Sequence, residues 1–420
     1  MYTSGIMVEN QEYEMINNCR VCGSKDLVRV LDLGKQPLAN SLKKTEMEKE
    51  KSFPLSIVFC NNCSLVQLEE TIDKEVLFSH YVWVTGTSET AKHYAEIFFN
   101  RTLHNTGLSK NDLVVEIASN DGTFLKPFIR NGFQVIGVDP AQNISDLANS
   151  EGIKTIAKFW DISVAKSIRE TMGSAKVIIA RNVIPHVSDL HNVIKGISEC
   201  LSDDGTGIIE FHHAGKILNE LHYDSIYHEH LCYFSMSSIK YLLNRYGLYP
   251  YHIDISPISG GSYVIYFSKN QKSQTKEYEK FEMEEEQTGI NKLSAWQEFA
   301  RKSEKHKIDS IEILKPFRGK TVIGFGSSAR SSTYLNYCGF SSSDIKLIID
   351  NNKLKQGMFS AGSSIPIVSF EKGIAENPDL IFVIAWNFLD EIVKECRNAG
   401  YKGPFLTPFP NNPYIIANNK

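Results

Sequence analysis

The stretch YDSIYHEHLCYF, from Tyr223 to Phe234, brings two histidines, a glutamate and four aromatic side chains together within twelve residues. Each residue type could serve a proton transfer. An imidazole titrates near neutrality, a carboxylate can hold its tautomer, and a tyrosine hydroxyl can donate to an oxygen that gains charge. Two other readings compete. A metal cage would want ligands at a recognised spacing, and HEH lacks the i, i+4 helical pair of a zinc protease. A solvated loop is the plainest alternative. Acid–base chemistry suits the residue types best, and it leaves two candidate bases. In an extended chain His228 and His230 share one face and Glu229 takes the other, whereas in a helical turn Tyr227 and His230 come together.

Four cysteines form a second constellation. CRVC pairs Cys19 with Cys22, and CNNC pairs Cys60 with Cys63. Each knuckle offers two thiolates from one tight turn, so the two knuckles together suit a tetrahedral Zn2+. The gap between them is wider than in the commonest zinc ribbons and leaves room for an inserted hairpin. Buried thiols or redox pairs are the alternative. Four protein ligands leave no open position, so the expected zinc is structural. Acids are mixed with the basic residues around it, unlike a ribbon that binds nucleic acid.

Two glycine turns could hold ligands. LVVEIASNDGTF reads as a strand, a tight turn and a helix, and VIGVDP as a second strand ending in Asp139. Class I methyltransferases hold S-adenosylmethionine in this way. The turn lets backbone approach the cofactor, and the acid after the second strand holds the ribose hydroxyls. Glu116, Ala118, Asn120, Gly122 and Asp139 are the candidate contacts. Of the usual three glycines only Gly122 remains, but Asn tolerates left-handed backbone. Asp139 as a mere cap of the following helix is the plainer alternative. A dinucleotide fold would share the acid. The helix SMSSIKYLLNRYGL and the paired strands of YHIDISPISGGSYVIYF favour the methyltransferase, whose sheet ends in such a hairpin. The second turn, in KTVIGFGSSARS, offers Gly324, Gly326 and Arg330 as candidate phosphate contacts, or a turn kept only for packing.

The elements that must position these groups fall into three regions. Residues 1–80 carry the cysteines and short β-like runs, DLVRVLDLG and FPLSIVFC. Residues 81–269 alternate strand and helix patterns, which predicts a parallel sheet covered by helices. Residues 270–420 open with charged stretches that read as exposed linking helices and continue as a second α/β set. This order puts YDSIYHEHLCYF just beyond the fifth central strand. His186, in ARNVIPHVSDL after the fourth, reaches the same carboxyl edge, where open α/β sheets bind ligands. A chain of 420 residues has room for two or three domains. A net charge of −4 argues against a general nucleic-acid binder. The sequence has no apolar run of membrane-spanning length. With no signal-peptide pattern at the N-terminus, the chain is expected to be cytoplasmic, and its eight cysteines to be ligands or buried thiols and not disulfides.

Together these motifs resemble the sugar C-methyltransferases of branched deoxysugar biosynthesis. The resemblance runs through the CxxC knuckles, YVWVTGTS, EIASNDGTFL, NVIPHV, YDSIYHEHLCYFS, ISGGSY and GFGSSARSSTYLNYCGF. It implies a zinc-binding N-terminal domain, a central S-adenosylmethionine domain and a Rossmann-like C-terminal domain. The implied substrate is a nucleotide-linked 4-keto-6-deoxysugar, methylated at carbon, commonly C-3, in the cleft between domains. The implied acid–base residues are Tyr227, Glu229 and His230 of YHEH, with Tyr81 and His186. His230 is the favoured base, with Glu229 orienting or charging it. Asn182 joins the candidate cofactor contacts, and Thr85 and Ser88 the candidate substrate contacts. Two positions depart from the family pattern. Val84 stands where a basic residue is frequent, and Ala329, Arg330 and Ser331 stand where Ala-Lys-Gly is frequent. The expected chain is a monomer without nucleic-acid or membrane partners. The rival expectations are a sugar O- or N-methyltransferase and a non-catalytic zinc-ribbon protein that binds nucleotides.

Overall fold

A computed structural model describes residues 13–78, 84–256 and 261–417. The first sheet is antiparallel and four-stranded, in the order Cys232–Tyr233, Val66–Leu68, Ser52–Cys60, Leu27–Pro37. In the last of these Leu31 and Leu33 point inward while Asp32 is exposed, the period-two pattern of a half-buried strand. The inserted hairpin between the knuckles is therefore real. One member of this sheet comes from far away in the chain. Cys232 pairs with Gln67 and Tyr233 with Val66, so the end of the YHEH stretch is stitched into the cysteine-bearing sheet.

The central sheet has seven strands in the order Tyr249–Ser256, Ser262–Ser268, Leu201–His212, Ala175–Arg181, Leu113–Ile117, Gln134–Val138, Thr155–Ile156. The five from Leu201–His212 onward run parallel, and Ser262–Ser268 is antiparallel to its neighbours. Its middle strands are buried on both faces, which is why they read as unbroken apolar runs. Val114, Ile179 and Ile208 meet an aromatic cluster of Tyr94, Phe98, Phe124 and Phe128 on one face. Val115, Ile178 and Ile209 lie in the core on the other, with Val164, Ile168 and Ile197 of the helices Ile162–Met172 and Leu190–Cys200.

The C-terminal sheet is six-stranded, ordered Ile367–Val368, Leu347–Ile349, Val322–Phe325, Leu380–Val383, Phe405–Thr407, Tyr414–Ile416, and is parallel except for the last strand. The charged helices before it are less exposed than expected. Leu293–Leu314 buries Trp296, Phe299, Ser303, His306, Ser310 and Leu314, a stripe spaced by three and four residues. Two serines and a histidine in that stripe hide it from a hydrophobicity reading. His306 bonds Tyr223 Oη at 2.8 Å and stacks on Phe409 at 4.7 Å, so this helix backs the YHEH stretch. The first and third regions also touch, through an antiparallel bridge in which the Lys43 amide donates to Phe359 O and the Phe359 amide to Lys43 O.

Candidate active site and zinc centre

The four cysteines converge. Their Sγ atoms all lie within 4.8 Å of one another, with Cys19 to Cys63 at 3.6 Å and Cys22 to Cys60 at 3.5 Å. A tetrahedron of Zn–S bonds near 2.3 Å has edges of about 3.8 Å, so the thiols fit zinc. The knuckles share one local design. The Gly23 amide donates to Cys19 O and the Ser64 amide to Cys60 O, each at 2.9 Å, with Gly23 and Ser64 both left-handed. Cys200, Cys232, Cys338 and Cys396 are separate buried thiols.

At the carboxyl edge of the central sheet the glycine turn is held in left-handed backbone at Ala118 (φ 54°), Asn120 (φ 52°) and Gly122 (φ 73°). Ala118 carries a Cβ there, which costs about 1–2 kcal/mol relative to glycine-like freedom. Asp139 spans the turn. One carboxylate oxygen accepts from the Asn120 amide at 2.9 Å and the other from the Ala141 amide at 3.0 Å. The segment Thr85–Thr87 lies over it, the Thr85 amide donating to Asn120 Oδ1 and the Gly86 amide to Asp121 Oδ2. Beneath, Glu116 is buried with Oε2 unpartnered among the described residues. Burial pushes its pKa up to about 8 against the pull of Arg181. A left-handed turn, a carboxylate with spare lone pairs and an orphan buried carboxyl suit a ligand that brings hydroxyls and a cationic amine.

The YHEH residues form a turn, since the His230 amide donates to Tyr227 O at 2.9 Å. Tyr227 and His230 therefore meet, with Oη to Nε2 at 2.8 Å. His230 Nδ1 lies 2.9 Å from Ser225 O. A carbonyl has no hydrogen, so Nδ1 carries the proton and Nε2 is left as the acceptor for the tyrosine hydroxyl. His186 sits beside it, ring centroids 4.8 Å apart, with its Nδ1 at 2.6 Å from Glu229 O. Burial drives the pKa of His230 well below the usual histidine range and that of His186 to about 4. Both rings are thus neutral at pH 7.

Three family models match the chain. They are described as a zinc binding domain over residues 19–78, a methyltransferase domain over residues 91–253 and a C-methyltransferase C-terminal domain over residues 257–410. The C-methyltransferase NovU of Streptomyces niveus is 33% identical over 411 residues, covering 96% of this chain and 97% of its own. The chain belongs to the C-methyltransferase family. Similar solved structures include magnesium protoporphyrin IX methyltransferase of Synechocystis PCC 6803 with bound SAM, at 12% identity, TM-score 0.32, and 42% of this chain and 79% of that one covered. An S-adenosylmethionine-dependent methyltransferase of Clostridium acetobutylicum gives 14% identity and TM-score 0.33, with 44% and 93% covered.

In this C-methyltransferase the methyl donor is S-adenosylmethionine and the four-cysteine cluster is the zinc site. Among the described residues no helix is long and apolar enough to cross a membrane. Tyr81 lies outside the described residues. Glu229 does not orient His230. Its carboxylate accepts from Asn40 Nδ2 at 2.6 Å, because the turn sends adjacent side chains in different directions, and the Ser225 carbonyl does the orienting. His228 faces the first sheet, its Nε2 2.9 Å from Pro54 O. Asn182 is left-handed (φ 50°), its amide donating to Glu210 O. Ser88 caps the helix Glu89–Thr106 through the Ala91 amide, while Thr85 faces the cofactor turn through its own amide.

The second glycine turn is more closed than expected. A Cβ on Gly324 would lie 3.0 Å from Ile348 and Ile384, so that glycine serves packing. Gly326 is left-handed (φ 94°) against Ala385. Arg330 does not offer a free fork to a phosphate. Its Nε and Nη2 donate to Asp224 at 3.0 and 2.9 Å, and its guanidinium lies 4.6 Å from the Trp386 ring centroid. Asp224, Trp386 and Asn40 were missed as site residues. Asp224 stands inside the YDSIYHEH stretch, where an acid two residues into a histidine-rich run was the available signal.

Proposed function

We propose that this enzyme methylates the carbon beside the ketone of a nucleotide-linked 4-keto-6-deoxysugar, at C-3, in branched deoxysugar biosynthesis. The observation that carries the reading is the Tyr227–His230 pair, a neutral imidazole with its tautomer fixed and its acceptor nitrogen facing a phenol. A carbon next to a carbonyl has a weakly acidic hydrogen. His230 Nε2 takes that proton, the C–H electron pair moves into the enolate, and the Tyr227 hydroxyl turns from Nε2 to the enolate oxygen. His186 packs against the base, and Tyr81 is a further candidate donor to the sugar. Glu116, Ala118, Asn120, Gly122, Asp139 and Asn182 would hold S-adenosylmethionine, which would supply an electrophilic methyl to the enolate carbon, the C–S electron pair staying with sulfur. A neutral base suits this step, because no prior deprotonation is needed at pH 7. Zinc stays outside the reaction, with four thiolates and no open position.

The test is hydrogen exchange at the sugar. With a thymidine diphosphate 4-keto-6-deoxyhexose and S-adenosylhomocysteine in deuterium oxide, the wild type should wash the C-3 hydrogen out. His230→Ala should lose that exchange and lower turnover by roughly 10²–10⁴-fold while still binding S-adenosylhomocysteine. Full exchange in His230→Ala would remove His230 as the base.

A further inference from the structure

We propose that Asp224 is a positioning residue that fixes the tautomer of His230, held in place for that purpose by Arg330 and Trp386 of the C-terminal region. The inference rests on His230 acting as the base and adds what sets its protonation. Asp224 is 1% exposed and lies in the single turn Tyr223–Ser225. Three donors converge on its carboxylate. They are Arg330 Nε at 3.0 Å, Arg330 Nη2 at 2.9 Å and Trp386 Nε1 at 2.9 Å. All come from the C-terminal sheet's connections. Arg330 is in the first turn of Ala329–Cys338, and Trp386 follows the strand Leu380–Val383.

The next residue supplies the oxygen that matters. Ser225 O accepts the Nδ1 hydrogen of His230 at 2.9 Å, and this bond leaves Nε2 as the basic nitrogen. On the far side of Ser225 a second anchor from the same helix acts, Thr333 Oγ1 donating to Ile226 O at 3.1 Å. The peptide that carries this carbonyl is closed into the turn by the Ile226 amide, which donates to Tyr223 O at 3.0 Å, and the two anchors hold that turn from either side. Among the described residues the Asp224 carboxylate has no hydrogen-bond partner besides Arg330 and Trp386. A buried carboxylate is costly unless well paired, and packed apolar residues would often serve stability as well. Here the bidentate fork stacked on indole fixes direction as well as charge, which a lysine could not reproduce. The Arg at position 330 thereby gains a reason. It holds the turn Tyr223–Ser225 and aims no free fork at a phosphate.

The experiment uses the full chain labelled with 15N-histidine, with His230 assigned by the resonances lost in His230→Ala. In the wild type, His230 should show protonated Nδ1 and bare Nε2. Asp224→Asn should mix the two tautomers, cut kcat roughly 10- to 100-fold and slow exchange of the sugar hydrogen in step, with the affinity for S-adenosylhomocysteine unchanged. Trp386→Phe removes one donor and keeps the ion pair, so it gives a smaller change of the same kind if Asp224→Asn fails to fold. Arg330→Lys keeps the charge without the fork and should fall between them. A wild-type tautomer with wild-type turnover in Asp224→Asn, or in Trp386→Phe and Arg330→Lys together, would overturn the proposal. So would a kcat loss without a tautomer change. If instead His230→Ala keeps full exchange, the base assignment falls by itself, whatever the tautomer readings in Asp224→Asn.

Discussion

Two strand–turn–helix units in this chain carry the same bond and put it to different use. In the central sheet Asp139 accepts from the Asn120 amide, and in the C-terminal sheet Asp350 accepts from the Ser327 amide, each at 2.9 Å. Each acid ends the second strand of its unit, and each also accepts from the amide two residues on, Ala141 at 3.0 Å and Asn352 at 2.8 Å. The difference lies in what crosses the turn. Over the first, Thr85 and Gly86 dock by backbone donors, and the turn keeps a left-handed Ala118 with an orphan carboxyl below it. Over the second, Ser328 and Ser331 satisfy each other in a capping box and Arg330 reaches away to Asp224. One unit retains unmet hydrogen-bonding capacity, and the other has Lys355 on Ser327 O and Arg330 on Asp224 of the turn Tyr223–Ser225. Topology alone does not assign a ligand to a Rossmann-like turn; the unpaired groups do.

The largest disruption removes the support at the other end of that turn. Metal analysis should find stoichiometric zinc in the wild type and none in Cys60→Ser. Structural zinc contributes about 10–16 kcal/mol in small zinc peptides, so the first sheet should unfold and with it the pairing of Cys232 and Tyr233. Binding of S-adenosylhomocysteine should outlast turnover. Full zinc content in Cys60→Ser would remove Cys60 from the ligand set. Next, Asp139→Ala should weaken that ligand roughly 10- to 100-fold by calorimetry, since bonds to a charged group are worth about 1.5–3 kcal/mol each. Asp350→Ala should leave it unchanged, and equal losses would erase the contrast between the turns.

Acidity gives a subtler contrast. His186 and His230 have folded pKa values depressed by burial, so the unfolded chain binds more protons below neutrality. Their contribution to stability is complete above about 6.5 and is lost as pH falls toward 4. Activity should accordingly stay level from pH 7.5 to 6.5, with no acid limb from His230. A limb near the ordinary histidine pKa, in kcat against pH, would contradict its burial. The smallest effect separates the turns by strain. Ala118→Gly should raise stability by about 1 kcal/mol in chemical denaturation, because it relieves a left-handed residue. Gly324→Ala should lower it, since its new Cβ has Ile348 and Ile384 at 3.0 Å.

What could be read from the sequence was local. Each CxxC pair announces two ligands from one turn, and the strand runs around Val115 and Ile178 announce a doubly covered parallel sheet. What could not be read depends on partners far along the chain. Glu229 meets Asn40 across 189 positions and Arg330 meets Asp224 across 106, and neither spacing leaves a trace in composition. Which side chain Tyr227 meets depended on one backbone turn, and the sequence allowed both an extended and a helical course there. The buried face of Leu293–Leu314 was missed because Ser303, His306 and Ser310 pack in it where apolar residues were sought. Ala118 shows the reverse case. It lacks the freedom of glycine and still adopts the left-handed turn.

In this C-methyltransferase the methyl group goes to carbon. Turnover of a thymidine diphosphate 4-keto-6-deoxyhexose with 13C-methyl S-adenosylmethionine, followed by carbon–proton correlation spectroscopy of the sugar, tests it directly. The labelled methyl should be bonded to C-3, with long-range correlation to the C-4 carbonyl and loss of the original C-3 hydrogen. A labelled methoxyl or N-methyl signal with that hydrogen retained would contradict it.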